Sequence, residues 1–383
     1  MLNIMRNFAN LIMTVIFYII IITTILFIAF VILKVSSNNR NNSNTTNAGE
    51  IYGKIIKISS KVENNNSQYC NVDIELLSGK YKGKIITVPN LVAGFTSTSQ
   101  YNNQEYAKIG DEVIVYLNLD SNGNIKSAYI YEIVRDKYLF KLSLVFIILL
   151  ILLGGIKGLK SIITLFLTGY TIIKILIPLI LYGYNSIIVT SIICIILVII
   201  NLLVISGYNR KTLSAIIGTS SGVLVAGAIV IFLNSMIRVN GFTDEEIQSM
   251  INITQNNNIN LTGIYFASVI MGALGAVMDV SMSIASAIFE IKEARHKITA
   301  IELIKSGLNV GKDIMGTMAN TLILAYVGGS MYIIIMIMPY INSISTVLNQ
   351  DIIAAEILKT LAGSIGLMIA IPITILASTF LIL

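Results

Sequence analysis

Along the stretch GKDIMGTMANTLILAYVGG, residues 311–329, a carboxylate, two hydroxyls and an amide interrupt an apolar run that continues to Met338. Asp313, Thr317, Asn320 and Thr321 stand at i, i+4, i+7 and i+8, which is one face of a helix. A carboxylate and an amide on a membrane helix cost free energy unless they meet water or a partner, so this face lines a bundle or a polar path. A second set precedes it. Ser268, Gly272, Gly275, Asp279, Ser283 and Ser286 recur at spacings of three and four and make one stripe. Small residues let helices approach closely in lipid, so the glycines read first as a packing seam. Asp279 reads either as half of a salt bridge to a nearby lysine or as a functional group.

Three further constellations carry chemistry. Lys174 precedes Pro178 by four residues, and proline cannot donate to the Lys174 carbonyl. A freed carbonyl beside a cation resembles the broken-helix sites of transporters; the plainer reading is a kink with the lysine snorkelling outward. Glu356 is a partner for Lys174, although Lys359 at i+3 is closer in sequence. Gly218-Thr219-Ser220-Ser221-Gly222 reads as close packing or a polar lining, and not as a phosphate loop, because no GK[ST] ending or preceding strand accompanies it. Two intramembrane aspartates also invite an aspartyl-protease reading. Such enzymes place a glycine directly before the second aspartate, and here Lys312 precedes Asp313.

The elements that must hold these groups follow from composition. Hydrophobic residues make up 55% and charged residues 12%, with a mean hydropathy of +0.81. That lies outside the soluble globular range and fits an integral membrane protein. The net charge of +6 comes from basic residues near helix ends, which is an orientation signal and not a nucleic-acid footprint. Cys70 falls in a polar region and Cys194 in an apolar run, so no disulfide framework follows. One histidine, His296, excludes a multi-histidine metal site. No cofactor is expected, and no nucleotide motif is present.

Residues 11–33 form a charge-free run of about 23 residues, long enough to cross a bilayer and longer than a signal-peptide core. It reads as a retained helix within residues 1–35; an unusually long signal is the alternative. Residues 36–49 are Asn/Ser/Thr-rich, as in a flexible linker. Residues 50–136 change character. Cys70 to Leu76 alternates with period two, Val113 to Leu117 is rich in β-branched residues, and Ser78-Gly79 and Asn122-Gly123-Asn124 supply turns. About five strands in a small antiparallel barrel or sandwich are expected, an OB-like barrel among the candidates. Residues 137–383 form a seven-helix membrane domain, with helices near 140–156, 161–181, 186–206, 213–237, 261–287, 313–338 and 353–383. The sixth span of the whole chain, 261–287, continues without proline to about Arg295 and should project beyond the bilayer. With the first helix the expectation is about eight spans, in a mainly α membrane protein with a β domain inserted after the first helix.

Loop charge sets orientation. Lys157 and Lys160, then Arg210 and Lys211, then Lys292, Arg295, Lys297 and Lys305 fall on one side, and Arg238 alone on the short loops of the other. Both termini are therefore expected in the cytoplasm and residues 36–136 outside. On that topology Asp279 lies about 27 Å into its helix, and Asp313 opens the next, so both carboxylates come near the inner boundary. Two carboxylates sharing a site raise one another's pKa, which suits proton or cation handling. The competing reading is that Asp313 caps its helix N-terminus.

The chain resembles the YibE/F-like family of bacterial multi-pass membrane proteins. The resemblance runs through Gly272 to Val280 (GALGAVMDV), Gly311 to Thr321 (GKDIMGTMANT), and Ala355 to Leu358 with Ser364 to Leu367. It implies an inner or plasma membrane protein and leaves the molecular activity to be argued from residues. The residues point to a permease-like or channel-like protein moving a small solute or ion past Asp279, Asp313, Thr317, Asn320 and Ser283, with Lys174 and Glu356 in the outer half. The rival is a non-transporting sensor or assembly factor whose β domain binds a ligand or protein partner. Besides these, the lipid bilayer is the only expected partner.

The topology is directly testable. Reporter fusions after Ser36 and Tyr184 should report outside, and fusions after Asn209 and at Leu383 inside. A reversed pair would break the depth argument.

Overall fold

The computed structural model describes residues 49–64, 67–90, 107–120, 124–239, 241–242, 261–340 and 343–383. The apolar run 11–33 lies outside these residues, as do most of the expected linker and the Asn122-Gly123 turn. The chain divides into a β unit that ends at Leu153 and a helical unit that begins at Gly154.

The β unit holds five antiparallel strands: β1 (Gly49–Asn64), β2 (Ser67–Leu76), β3 (Ile85–Pro89), β4 (Glu112–Leu119) and β5 (Ile125–Ile133). Their order is β3-β2-β1-β4-β5, and β3 approaches β5, so the sheet nearly closes on itself. Alternation decides the inner face: Val113, Val115 and Leu117 of β4 are buried while Ile114 and Tyr116 point the other way. Ile55, Val72, Ile74, Leu76 and Ile130 complete the core. β1 bends at register shifts between Ile55 and Lys57 and between Ile58 and Lys61; such bulges coil a long strand around a small barrel. The Asn90 side chain bonds both the amide and the carbonyl of Ala107, each at 3.1 Å, and so ties the two ends of the β3–β4 connection together.

The helices are α1 (Asp136–Thr171), α2 (Ile177–Leu181), α3 (Ser186–Ser206), α4 (Arg210–Ile237), α5 (Leu261–Ala294), α6 (Ala300–Gly329), α7 (Met331–Ile337), α8 (Ile344–Leu348) and α9 (Asp351–Ile382). Among the described residues five segments are long and apolar enough to cross a membrane: Asp136–Leu181, Ser186–Ser206, Arg210–Ile237, Thr262–Ala294 and Asp351–Ile382. The expected pair 140–156 and 161–181 is met by two helical stretches that join at Gly155, where φ is 53° and ψ is −132° and the helix is broken. Lys157 and Lys160, expected in a connecting loop, stand on helix just past that break. The expected helix 313–338 is corrected. α6 begins at Ala300, where Thr299 and Glu302 form a reciprocal capping box, and it ends at Ser330. Bonds from the Thr299 amide and hydroxyl hold the exposed Glu302 carboxyl below the usual carboxylate range.

The helical unit is built around α4, α5 and α9. Val223, Ala226, Ile270, Ala273, Val277, Ile284, Leu367 and Ile371 are buried together. At its centre α4 and α9 meet backbone to backbone. A Cβ on Gly222 would stand 2.8 Å from the Gly366 carbonyl oxygen and from Ala370 Cβ, and one on Gly218 would collide with the Thr374 hydroxyl. The GTSSG run is thus a packing seam. Arg210 then closes the pair by donating to the Leu381 carbonyl at 3.0 Å, near the last turn of α9.

Gly222→Val should lower thermal stability in detergent by about 1–3 kcal/mol, since Gly366 backbone cannot yield. Gly275→Ala should change little, because a Cβ there meets nothing within 4 Å. Equal melting temperatures for the two variants would refute the seam.

Candidate functional site

α5 and α6 run antiparallel. Gly307 packs on Ile288, Gly311 on Ile284, and Gly272 against the Tyr326 hydroxyl. This pairing places Asp279 and Asp313 within about one helical turn of the same level. Their faces differ from the sequence expectation. On α5, Val269, Ile270, Ala273, Val277, Val280 and Ile284 are buried, while Ser268, Gly272, Gly275, Asp279 and Ser283 are exposed. On α6, Leu303, Gly307, Gly311, Ala319 and Leu322 are buried, and Asp313, Thr317, Asn320 and Thr321 are exposed.

The two polar faces therefore point away from the bundle core. Gly275 packs against none of the described residues. No ion pair or hydrogen bond joins Asp279 to Asp313 among the described residues. Asp313 lies well inside α6 and caps nothing; the cap is Thr299. The reading of Asp313 as an N-terminal cap, and its depth at a helix start, are both corrected. The cause is that residues 300–312, with their charges, are helical too, so the apolar run began later than the helix. Thr317 turns its hydroxyl back to the carbonyls of Asp313 and Ile314, and Thr321 donates to Thr317 at 2.9 Å. These bonds satisfy the threonines locally and leave the Asp313 carboxylate and the Asn320 amide available.

Lys174 is exposed within a π turn, Ile172–Leu176, whose Ile177 amide bonds the Ile172 carbonyl. Pro178 follows at the start of α2. The missing donor explains the local widening: the ladder shifts register instead of leaving a gap.

Glu356 is the best-connected of the expected residues: it meets Lys359, its expected i+3 neighbour, and Ser330, which the sequence did not single out. Its Oε2 accepts from the Ser330 hydroxyl at 2.7 Å, and its Oε1 faces Lys359 Nζ at 3.5 Å. Lys359 also lies 5.2 Å from the Tyr326 ring centroid. The pair is 24% and 22% exposed, so it is shielded without being sealed. Two adjoining cavities of about 210 Å³ each share Tyr326, Ser330 and Glu356. One is walled by Ile323, Ile353 and Leu361, the other by Tyr332 and Lys359. The Tyr326 hydroxyl is buried between them and Gly272 and has no hydrogen-bond partner among the described residues. Ser330 was hidden because the apolar run around it read as unbroken helix; a serine at a helix end, 26 positions from a glutamate, carries no local signal. Among the described residues no three His, Cys, Asp or Glu side chains gather as a metal site.

Glu356→Ala should cost about 1–3 kcal/mol of stability, because it leaves Lys359 and Ser330 without their acceptor. Tyr326→Phe should be neutral by the same thermal measurement, since the hydroxyl it removes has no partner. A large loss in Tyr326→Phe would show that the hydroxyl is bonded.

The comparisons with known proteins bear on the same helices. No match was found among curated proteins or among solved structures. A family model described as YibE/F-like protein matches residues 142–383, which take in every helix from the body of α1 to the end of α9 and all the groups described above. That span is more than half of the chain and, with five helices long and apolar enough to cross a membrane, supports a multi-pass membrane protein. The chain belongs to the YibE/F-like family.

Proposed function

We propose that this chain is a permease-like or channel-like protein that moves a small solute or ion across the cell membrane. The observation that carries the reading is the run of polar groups along α6. Asp313, Thr317, Asn320 and Ser330 spread over about 25 Å at 1.5 Å per residue, most of the ~30 Å hydrocarbon thickness. Asp279 and Ser283 on α5 flank the inner part, and Glu356 with Lys359 closes the outer part. Polar groups at successive depths offer a permeant successive partners, which a single structural ion pair would not need. The π turn at Lys174 adds a second place where backbone geometry departs from a closed ladder.

The topology in this proposal has eight spans, residues 11–33 included, both termini cytoplasmic and residues 36–136 outside. The loop charges support it. The β unit is OB-like in this reading: the strand order β3-β2-β1-β4-β5 with β3 near β5 is that of a five-stranded Greek-key barrel. The second reading, a sensor or assembly factor, draws on the outer face of β4 and β5. There Tyr116 and Tyr129 stack with centroids 5.3 Å apart, and Tyr131 beside them is 45% exposed. Aromatic faces of this kind take up planar ligands or a protein surface.

Proteoliposomes separate the two. The reconstituted chain should pass protons, monovalent cations or a small polar solute, and Asp279→Asn and Asp313→Asn should each lower the flux at least tenfold while inserting normally. Deleting residues 50–135 should leave the flux in place. Absence of flux for every probe, with partner capture by the β unit intact, would sink transport in favour of the sensor.

A further inference from the structure

We propose that the polar face of α6 is half of a site, and that a second copy of this chain supplies the other half. The inference deepens the transport reading, because among the described residues of one chain nothing covers the path past Asp313 and Asn320. Lys312, Asp313, Thr317 and Asn320 are all exposed; Asp313, Thr317 and Asn320 lie on the side of α6 opposite Gly311 and Leu322, and Lys312 borders that side. No opposite charge stands three or four positions from Lys312 or Asp313, where a helix would pair it: those positions hold Asn309, Met315, Leu308 and Gly316, and Val310, Gly316, Asn309 and Thr317. Neither residue has an ion partner among the described residues. A face of this kind against acyl chains leaves a carboxylate, an ammonium and an amide unsatisfied.

The chemistry of the face selects its occupant. The apolar run 11–33 contains no charged residue, and residues 142–153 are apolar except Ser143, so neither neutralises Lys312 and Asp313. A second α6 does. Around a two-fold axis along the membrane normal, two copies of α6 run parallel and each residue meets its own neighbourhood on the other. Lys312 of each copy then faces Asp313 of the other, twice over, and the Asn320 amides meet as donor and acceptor in both directions. Gly316 lies on the same side with nothing within 4 Å of a Cβ, which lets the two backbones come close. The permeant in this arrangement passes between the copies, along a seam lined by Asp313, Thr317 and Asn320 from both.

The test uses the full chain in its native membrane. Two differently tagged copies are co-expressed, and one tag is used to recover the other. Wild type should recover wild type. Lys312→Asp with itself, and Asp313→Lys with itself, should each lose recovery at least tenfold, because like charges then face one another. Lys312→Asp co-expressed with Asp313→Lys should restore it. Full recovery in the like pairs, or no restoration in the mixed pair, overturns the interface. An independent measurement avoids charge changes altogether: Asn320→Cys should form an oxidant-dependent covalent dimer, and Leu376→Cys, on the exposed face of α9, should show no more covalent crosslink than wild type. A crosslink from Asn320→Cys to a cysteine placed at Phe17 within one chain would overturn the proposal, since the 11–33 segment would then be the cover. Flux read alongside keeps the two ideas apart. Crosslinking without flux leaves the interface and removes transport; flux without crosslinking does the reverse.

Discussion

The helical unit depends on one close approach, that of α4 and α9. In lipid the hydrocarbon around a helix is as apolar as the helix, so burying leucine against leucine gains little. Contact has to come from fit. Gly222 and Gly366 give it: a Cβ on either would stand under 3 Å from the other's carbonyl oxygen. Ala226 and Ala370 extend the flat surface, and Gly218 admits the Thr374 hydroxyl. With those two backbones in contact, α5 lays Val277, Val280 and Ile284 across them, and α6 brings Gly307 and Gly311 onto Ile371 and Ile375. The order of packing is thus set by where side chains are missing.

That arrangement has a consequence for the polar groups. The small residues of α6 occupy its inner face so that α6 can sit close to α5 and α9. The charged and amide residues are left on the outer face, in a register fixed by the glycines. Hydroxyls nearer the core are handled differently. Thr219, Ser364 and Thr374 return their hydroxyls to carbonyls four residues back, which satisfies them without a partner helix. A carboxylate cannot do this, and neither Asp279 nor Asp313 does. These three hydroxyls are thus satisfied within their own helices, while Asp279 and Asp313 are exposed and Glu356 is held by Ser330 and Lys359 at the end of the α6–α9 contact.

Much of the fold was legible because both periodicities are strong here. The span 186–206 matches α3 to the residue, and 353–383 differs from α9 only at its ends. Five strands were expected and five are present, with the alternation of Cys70 to Leu76 inside β2. One boundary was misread. The start of α6 was delayed until Asp313, whereas charged side chains ride on a helix that begins before the apolar run, at Ala300. The candidate site was legible in its residue types and not in its geometry. Asp279, Asp313, Thr317 and Asn320 were found by spacing, and Lys359 by its i+3 place beside Glu356, while Ser330 and Tyr326 were found only by their convergence on Glu356.

The sequence by itself determined the element types, their approximate lengths and the pairs of positions that share a helix face, because these follow from local periodicity. Tertiary structure alone decided which face turns inward. In a soluble protein the apolar face is the buried one, and the pattern gives the answer. In a membrane helix both faces are apolar enough for their surroundings, so hydrophobicity loses its sign and small-residue contacts decide. For α6 they turned Gly307 and Gly311 in, and with them turned Asp313, Thr317 and Asn320 out.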